Sequence, residues 1–283
     1  MLVVQAINVR RRALRLPEPW GPRFGQLGRG TPLRLLIVGD SSAAGVGVGR
    51  QDDALCGQLT KKLTTGRHLT WRLEATTGHR SADALARVRA LPPQTFDVAV
   101  LALGVNDVTR LARRRRFHME QSALIRLLRD RFGVTLVILS GVPPMADFPA
   151  LPNPLAWVLG RHATRLDRVL AKLAAQDPNV VHLPFTIPPD PTLAAQDGYH
   201  PSAMAYTLWA DTLAQTINAE LSAPCDPSGA THLAQQRNGI DHQREPDHRE
   251  SDHPRATELL AKDKDRRQKD HGGRDILQNA DRR

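Results

Sequence analysis

The order of apolar segments predicts an α/β protein: a flavodoxin-like three-layer α/β/α sandwich around a five-stranded parallel sheet of order 2-1-3-4-5. Three observations predict it. Short apolar runs alternate with longer segments of helical period from residue 33 to residue 221. The runs 96–103 and 134–139 are almost continuously apolar, as strands covered on both faces are. The first run, Leu35-Leu36-Ile37-Val38, breaks off at Gly39-Asp40-Ser41 and is followed by small residues, as a strand does at a tight turn on the carboxyl edge of a sheet.

Each element follows from its pattern. Residues 33–38 form the first strand. Leu55, Leu59 and Leu63 give 54–63 a helical stripe. Residues 70–75 alternate with period two, as an edge strand does. Ala82, Leu85 and Val88 mark a helix over 81–91, with Ser81 as its cap. After the strand 96–103 come a helix over 117–132, the strand 134–139, a long helix over 155–175, a short strand over 180–183 and a closing helix over 206–221. The order 2-1-3-4-5 puts a switch point between the first and third strands, so the loops carrying Ser41 and Asn106 meet there.

Two flanking segments stand outside this alternation. Residues 1–32 read as an extended arm: four prolines and four glycines crowd 13–32, packed as a strap over the domain. Residues 222–283 are charged and poor in apolar groups, and read as a mostly disordered tail. Five of the eleven histidines fall in that tail at irregular spacing without a cysteine pattern, which does not make a metal site.

The net charge of +10 calls for an anionic partner to be considered, and its distribution narrows the choice. The tail balances twelve Lys/Arg against twelve Asp/Glu, the arm holds six Arg and one Glu, and the remaining excess equals the five arginines Arg110, Arg113, Arg114, Arg115 and Arg116. With aromatics at only 4%, no basic face interleaved with aromatics exists, and a specific nucleic-acid partner is not expected. The arginine cluster reads as a solvated loop or helix start, or as a rim drawing anionic substrates to the mouth of a site. Two distant cysteines fit a reducing compartment, and a cytoplasmic location is the expectation. The opening apolar run, followed by Arg10-Arg11-Arg12, is too short to span a bilayer; a weak membrane-surface contact through this arm is the alternative.

The chemistry-bearing residues lie at element ends. Ser41 is a candidate nucleophile if a base can reach it. The competing reading makes Asp40 and Ser41 simple helix caps. His200, in Asp197-Gly198-Tyr199-His200, is the candidate base, and Asp197 three residues earlier can fix its tautomer within a turn. Oxyanion donors are sought in the backbone N–H of Ser41, the backbone N–H of Gly78 and the side-chain amide of Asn106. Asp40 is expected to bond local backbone, and Asp107 to cap the helix that follows it.

Gly39-Asp40-Ser41-Ser42, Gly78, Gly104-Val105-Asn106-Asp107 and Asp197-Gly198-Tyr199-His200 resemble, in order, the four blocks of the SGNH (GDSL-type) hydrolase superfamily. Leu16-Pro17-Glu18-Pro19 and Gly141-Val142-Pro143-Pro144-Met145 extend the resemblance to a bacterial esterase branch, over roughly residues 16–220. It implies ester hydrolysis through an acyl-enzyme without metal or organic cofactor. Ser41 would be the nucleophile, Asp197 and His200 the rest of a triad, and Ser41, Gly78 and Asn106 the oxyanion hole. Ser42 departs from the leucine common at that position.

The expected partner is a small-molecule ester, with His79, Arg80, Met145 and Phe148 as candidate substrate contacts. Leu151 and Trp157 join Met145 and Phe148 in a lid or acyl-pocket wall, or alternatively in the core. A carbohydrate O-deacetylase or a thioesterase of the same fold is the neighbouring reading, and a non-catalytic binding module the more distant one.

Overall fold

A computed structural model describes residues 2–222. Of the predicted tail, 222–283, all but Ser222 lies outside the described residues.

Six strands form one mixed sheet: β1 (Phe24–Gly28), β2 (Thr31–Gly39), β3 (Arg67–Ala75), β4 (Val98–Ala102), β5 (Leu136–Ser140) and β6 (Val180–Leu183), in the order β1-β3-β2-β4-β5-β6. This corrects the predicted five-stranded, all-parallel sheet of order 2-1-3-4-5: a sixth strand is added, antiparallel, at the edge next to β3. β2 through β6 pair in parallel, while β1 runs antiparallel along the outer edge of β3, from Phe24 opposite Arg72 to Gly28 opposite His68. The additional strand comes from the arm. Its side chains are mostly exposed, so it carries no apolar signature and is held by backbone pairing. The arm's glycines serve the turn out of it: Gly30 has φ +125°, and a Cβ there would lie 2.2 Å from the Gly66 carbonyl oxygen.

The arm is ordered elsewhere too. Leu2–Arg12 forms helix α1, whose Gln5 Nε2 donates to the Asn153 carbonyl at 2.7 Å and whose Val9 packs on the core. Leu2, Val3, Val4 and Ile7 stay exposed. Trp20 exchanges backbone hydrogen bonds with Gly49 and Gln51, strapping the arm to the domain. No helix of the described residues is long and apolar enough to cross a membrane.

Seven more helices lie among the described residues: α2 (Ser41–Ala44), α3 (Leu55–Leu63), α4 (Ser81–Arg89), α5 (Val105–Thr109), α6 (Arg114–Phe132), α7 (Leu155–Ala174) and α8 (Ala203–Ser222). The pleat sends alternate residues of a strand to opposite faces. Leu36 and Val38 of β2 join α4, α6 and α7 in one core, while Leu35 and Ile37 join α3 and α8 in the other. The stripe on α7 is Leu159, Ala163, Leu166, Leu170 and Leu173. α6 ends at Gly133 in the left-handed conformation, with its N–H on the carbonyls of Leu128 and Arg129.

β2 and β4 are in register, with Gly39 beside Ala102. The two chains therefore leave the sheet side by side at its carboxyl edge, at the point where strand order reverses.

Candidate active site

The site begins where β2 stops. A Cβ on Gly39 would lie 2.3 Å from the Ala43 Cβ and 2.6 Å from the Ala102 carbonyl oxygen, so only glycine lets α2 turn back this tightly. Asp40 is 2% exposed, and its Oδ1 accepts the Ser42 N–H at 3.0 Å, shaping the turn as expected. Burial pushes its carboxyl up to about 7, against the bond from Ser42 and the nearby imidazole of His200. Ser41 is the first residue of α2, so its N–H has no intrahelical partner.

The imidazole of His200 comes from the turn before α8. Its Nε2 lies 2.9 Å from Ser41 Oγ, and its Nδ1 lies 2.5 Å from Asp197 Oδ2. Asp197 Oδ1 accepts the backbone N–H groups of Tyr199 and His200, both at 3.0 Å. Burial opposes the charge on Asp197, but the bonds from His200 and Tyr199 outweigh it and hold the carboxyl below the usual carboxylate range. The turn is braced by bonds from Ala195 N–H to the His200 carbonyl (2.7 Å) and from Ala150 N–H to the Gly198 carbonyl (3.0 Å). The Tyr199 ring stands edge-on between Phe148 and His200. Tyr206 on α8 donates its hydroxyl to the Val46 carbonyl at 2.7 Å, tying the helix after His200 to the loop after Ser41.

Asn106 lies on α5, after β4. Its Nδ2 donates to the His79 carbonyl at 3.1 Å and makes a longer contact, 3.4 Å, to Asp40 Oδ2. The structure thus brings Ser41, Asp197, His200 and Asn106 together, with the Gly78 turn alongside. Gly78 sits at φ +84° with open space around it, and its N–H has no protein acceptor among the described residues.

The predicted substrate contacts divide. Phe148 lines a cavity of ≈110 Å³ that also touches Asp40, Ser42 and His200. Its walls are largely apolar, including Pro143, Phe185, Ile187, Leu193 and Trp209. Met145 is a correction: it is fully buried in the core and absent from that wall, because its short helical turn packs inward on α7. Leu151 is likewise in the core, and Trp157 is exposed beneath the Arg161 guanidinium. His79 contributes its carbonyl to Asn106, and its Nδ1 is buried without a partner among the described residues. Arg80 faces a different cavity, shared with the arginine cluster.

Two capping expectations also change. Arg80 occupies the cap position of α4, and Ser81 is its first residue. Asp107 caps across space: its Oδ2 accepts the Ser81 N–H (3.1 Å) and hydroxyl (2.9 Å). Burial pushes the Asp107 carboxyl up to about 6.

One functional neighbour escaped the sequence reading. Glu18 of the arm accepts the Thr77 N–H and hydroxyl and pairs with Arg23 at 2.8 Å, so it fastens the turn carrying Gly78. The sequence marked it only as the lone acid among six arginines and as part of Leu16-Pro17-Glu18-Pro19, a stretch that carries the resemblance without indicating a role for the carboxylate.

The chain is 29% identical over 207 residues to the GDSL-like esterase Rv1075c of Mycobacterium tuberculosis, covering 69% of this chain and 64% of that protein. It thus spans less than two thirds of the length of that curated relative. Among solved structures, TesA shares the fold with a TM-score of 0.53 at 23% identity, over 66% of this chain and 99% of that one. The psychrotrophic esterase EstA from Pseudoalteromonas does so with a TM-score of 0.52 at 20% identity, over 66% and 98%. Residues 37–208, from the middle of β2 to the start of α8, match the GDSL-like lipase/acylhydrolase family, and over that span the chain has the fold its members share: it belongs to this family.

Proposed function

We propose that the protein is a serine carboxylic-ester hydrolase that works through an acyl-enzyme on Ser41. The observation that carries this reading is the unbroken line from Ser41 Oγ through His200 (2.9 Å) to Asp197 (2.5 Å). His200 takes the Ser41 proton as Oγ bonds to the ester carbonyl carbon. Asp197 holds Nδ1 protonated and stabilises the imidazolium. The N–H groups of Ser41 and Gly78 and the Asn106 amide receive the oxyanion; each such donor contributes about 3 kcal/mol. The Asn106 contact to Asp40, at 3.4 Å, is long and yields readily to an oxyanion.

Collapse of the intermediate breaks the bond to the alkoxide, which takes the proton from His200. Water then gives a proton to His200 and attacks the acyl carbon. Ser41 Oγ leaves with that proton, and the acid is released. The apolar walls beside His200 suit an alkyl or aryl acyl group better than a sugar.

The test is hydrolysis of p-nitrophenyl esters, from acetate to long-chain, by wild type and Ser41→Ala in parallel. Turnover that disappears in the variant supports the reading. Wild-type turnover in the variant, or none in either protein, overturns it.

A further inference from the structure

Helix α1, Leu2–Arg12, holds no buried residue. Gln5 Nε2 donates to the Asn153 carbonyl at 2.7 Å, and Val9 packs against the core. These two residues are four apart, so they share the face that meets the domain. Val3 and Ile7 are also four apart, and Val4 and Ile7 three apart, which puts all three on the opposite face. There Val3 is 71% exposed, Val4 60% and Ile7 45%. A helix of 11 residues is marginal in water unless it buries an apolar face, and this one leaves its larger apolar face open.

Charge indicates what covers that face. Arg10, Arg11 and Arg12 form the last turn, and Arg15 follows three residues later. All four are exposed, none has a carboxylate within 4.0 Å among the described residues, and residues 1–15 contain no acid. Glu18, the one acid of the arm, is engaged by Arg23 and Thr77. One cation completes a helix C-terminus; four within six residues repel one another unless an anionic surface lies nearby.

The apolar and basic groups are stacked along the helix axis. At 1.5 Å per residue, Ile7 and Arg11 are about 6 Å apart along the outward side. A bilayer has the same layering: apolar side chains enter the acyl boundary to a depth of about 5–10 Å, and arginines reach back to the headgroup phosphates. A second copy of the same face would bring four further arginines with it, so like charges oppose self-association.

Trp157 supports the same reading. It lies four residues beyond Asn153, in the first turn of α7, the helix against which α1 packs. It is 57% exposed and carries the Arg161 guanidinium 5.0 Å from its ring centroid. An exposed tryptophan beside a cation settles at the level of lipid headgroups.

We propose that α1 and Trp157 seat the protein on the surface of an anionic lipid bilayer. The helix dips in by its first two turns and does not cross. The proposal is independent of the hydrolase reading, since it uses no residue of the candidate active site.

The test is co-sedimentation of the full chain with sucrose-loaded vesicles, of phosphatidylcholine alone or mixed equally with phosphatidylglycerol. Each arginine at an anionic surface is worth about fivefold in partitioning, so the anionic vesicles should bind at least about thirtyfold more tightly, with an advantage that salt erodes. Arg10→Gln/Arg11→Gln/Arg12→Gln should lose most of that advantage. Val4→Gln/Ile7→Gln should weaken binding to anionic vesicles at least about tenfold, and Trp157→Gln about threefold. All of these side chains are exposed, so the variants keep the fold. Equal binding to the two kinds of vesicle, or binding to the anionic ones that any of the three variants leaves unchanged, overturns the proposal. So does a chain that stays off both and forms a dimer, by light scattering, that Val4→Gln/Ile7→Gln breaks; that outcome gives the apolar face to a second copy.

Discussion

Glu18 accepts both the backbone N–H and the hydroxyl of Thr77, at 2.7 and 2.8 Å, joining the arm to the turn that carries Gly78. Burial opposes the charge on Glu18, but the Thr77 and Arg23 contacts outweigh it and hold its carboxyl below the usual range. Glu18 is a positioning residue: it touches the donor-bearing turn and not the serine. Glu18→Ala is expected to lower kcat about tenfold with little change in KM, and Glu18→Gln, which keeps an acceptor oxygen, to recover most of that loss. A change in KM alone, or equal losses in both variants, counts against this role.

Removing the Ser41 hydroxyl should abolish turnover without disturbing the fold. Ser41 is 6% exposed, and His200 is the side-chain partner of its Oγ. Ser41→Ala should lose at least about 10⁴-fold in kcat while its circular dichroism and Tm match wild type.

Asp197 does two separable things. Oδ2 meets His200 Nδ1, and Oδ1 accepts two backbone N–H groups. Asp197→Asn keeps an acceptor for the turn but presents an amide to the imidazole, so kcat should fall about 10³- to 10⁴-fold with a nearly unchanged Tm. Asp197→Ala should also lower Tm, because it leaves both backbone donors unpaired. Equal Tm values for the two variants would mean that the turn does not depend on Asp197.

Asp40 gives the fold a pH dependence of its own. Burial raises its carboxyl to about 7 in the folded chain, against about 3.9 in an unfolded one. Between those values the folded state binds more protons, so this group's contribution to stability declines as pH rises. Asp40→Asn should therefore gain in Tm relative to wild type between pH 5 and pH 8, by on the order of 5 °C at the upper end. Calorimetry at both pH values checks this; a difference that is flat with pH shows that Asp40 does not titrate there.

The parallel core and the residues gathered at the candidate site were legible because they coincide with features that side chains announce. β2 and β4 are apolar runs, and Ser41, Asn106 and His200 sit at the ends of elements, where small, polar or turn-forming residues interrupt the pattern. β1 was not legible. Its side chains point mostly to water, and its residues pair with partners 40 to 48 positions on, from Gly28 with His68 to Phe24 with Arg72, so backbone pairing leaves no mark in composition. Prolines and glycines that read as a structureless arm are the turns on either side of a strand. Glu18 was hidden for the same reason, since its bond to Thr77 spans 59 residues. Met145 and Phe148 look alike as apolar residues after the fourth predicted strand, yet one is fully buried in the core and the other lines the cavity. Only packing separates them.

The pairing of β1 with β3 also bears on where the domain can be cut. The family match begins at residue 37, and the first parallel strand at Thr31, so either point invites itself as a boundary for a trimmed, minimal domain. Such a trim strips the cover from one side of β3 and leaves the backbone groups opposite His68–Arg72 open to any passing strand. It also removes Glu18 and Arg23, and with them the anchor of the Gly78 turn. A fragment starting at Thr31 would be sticky and sluggish at once, and one starting before Glu18 would be neither.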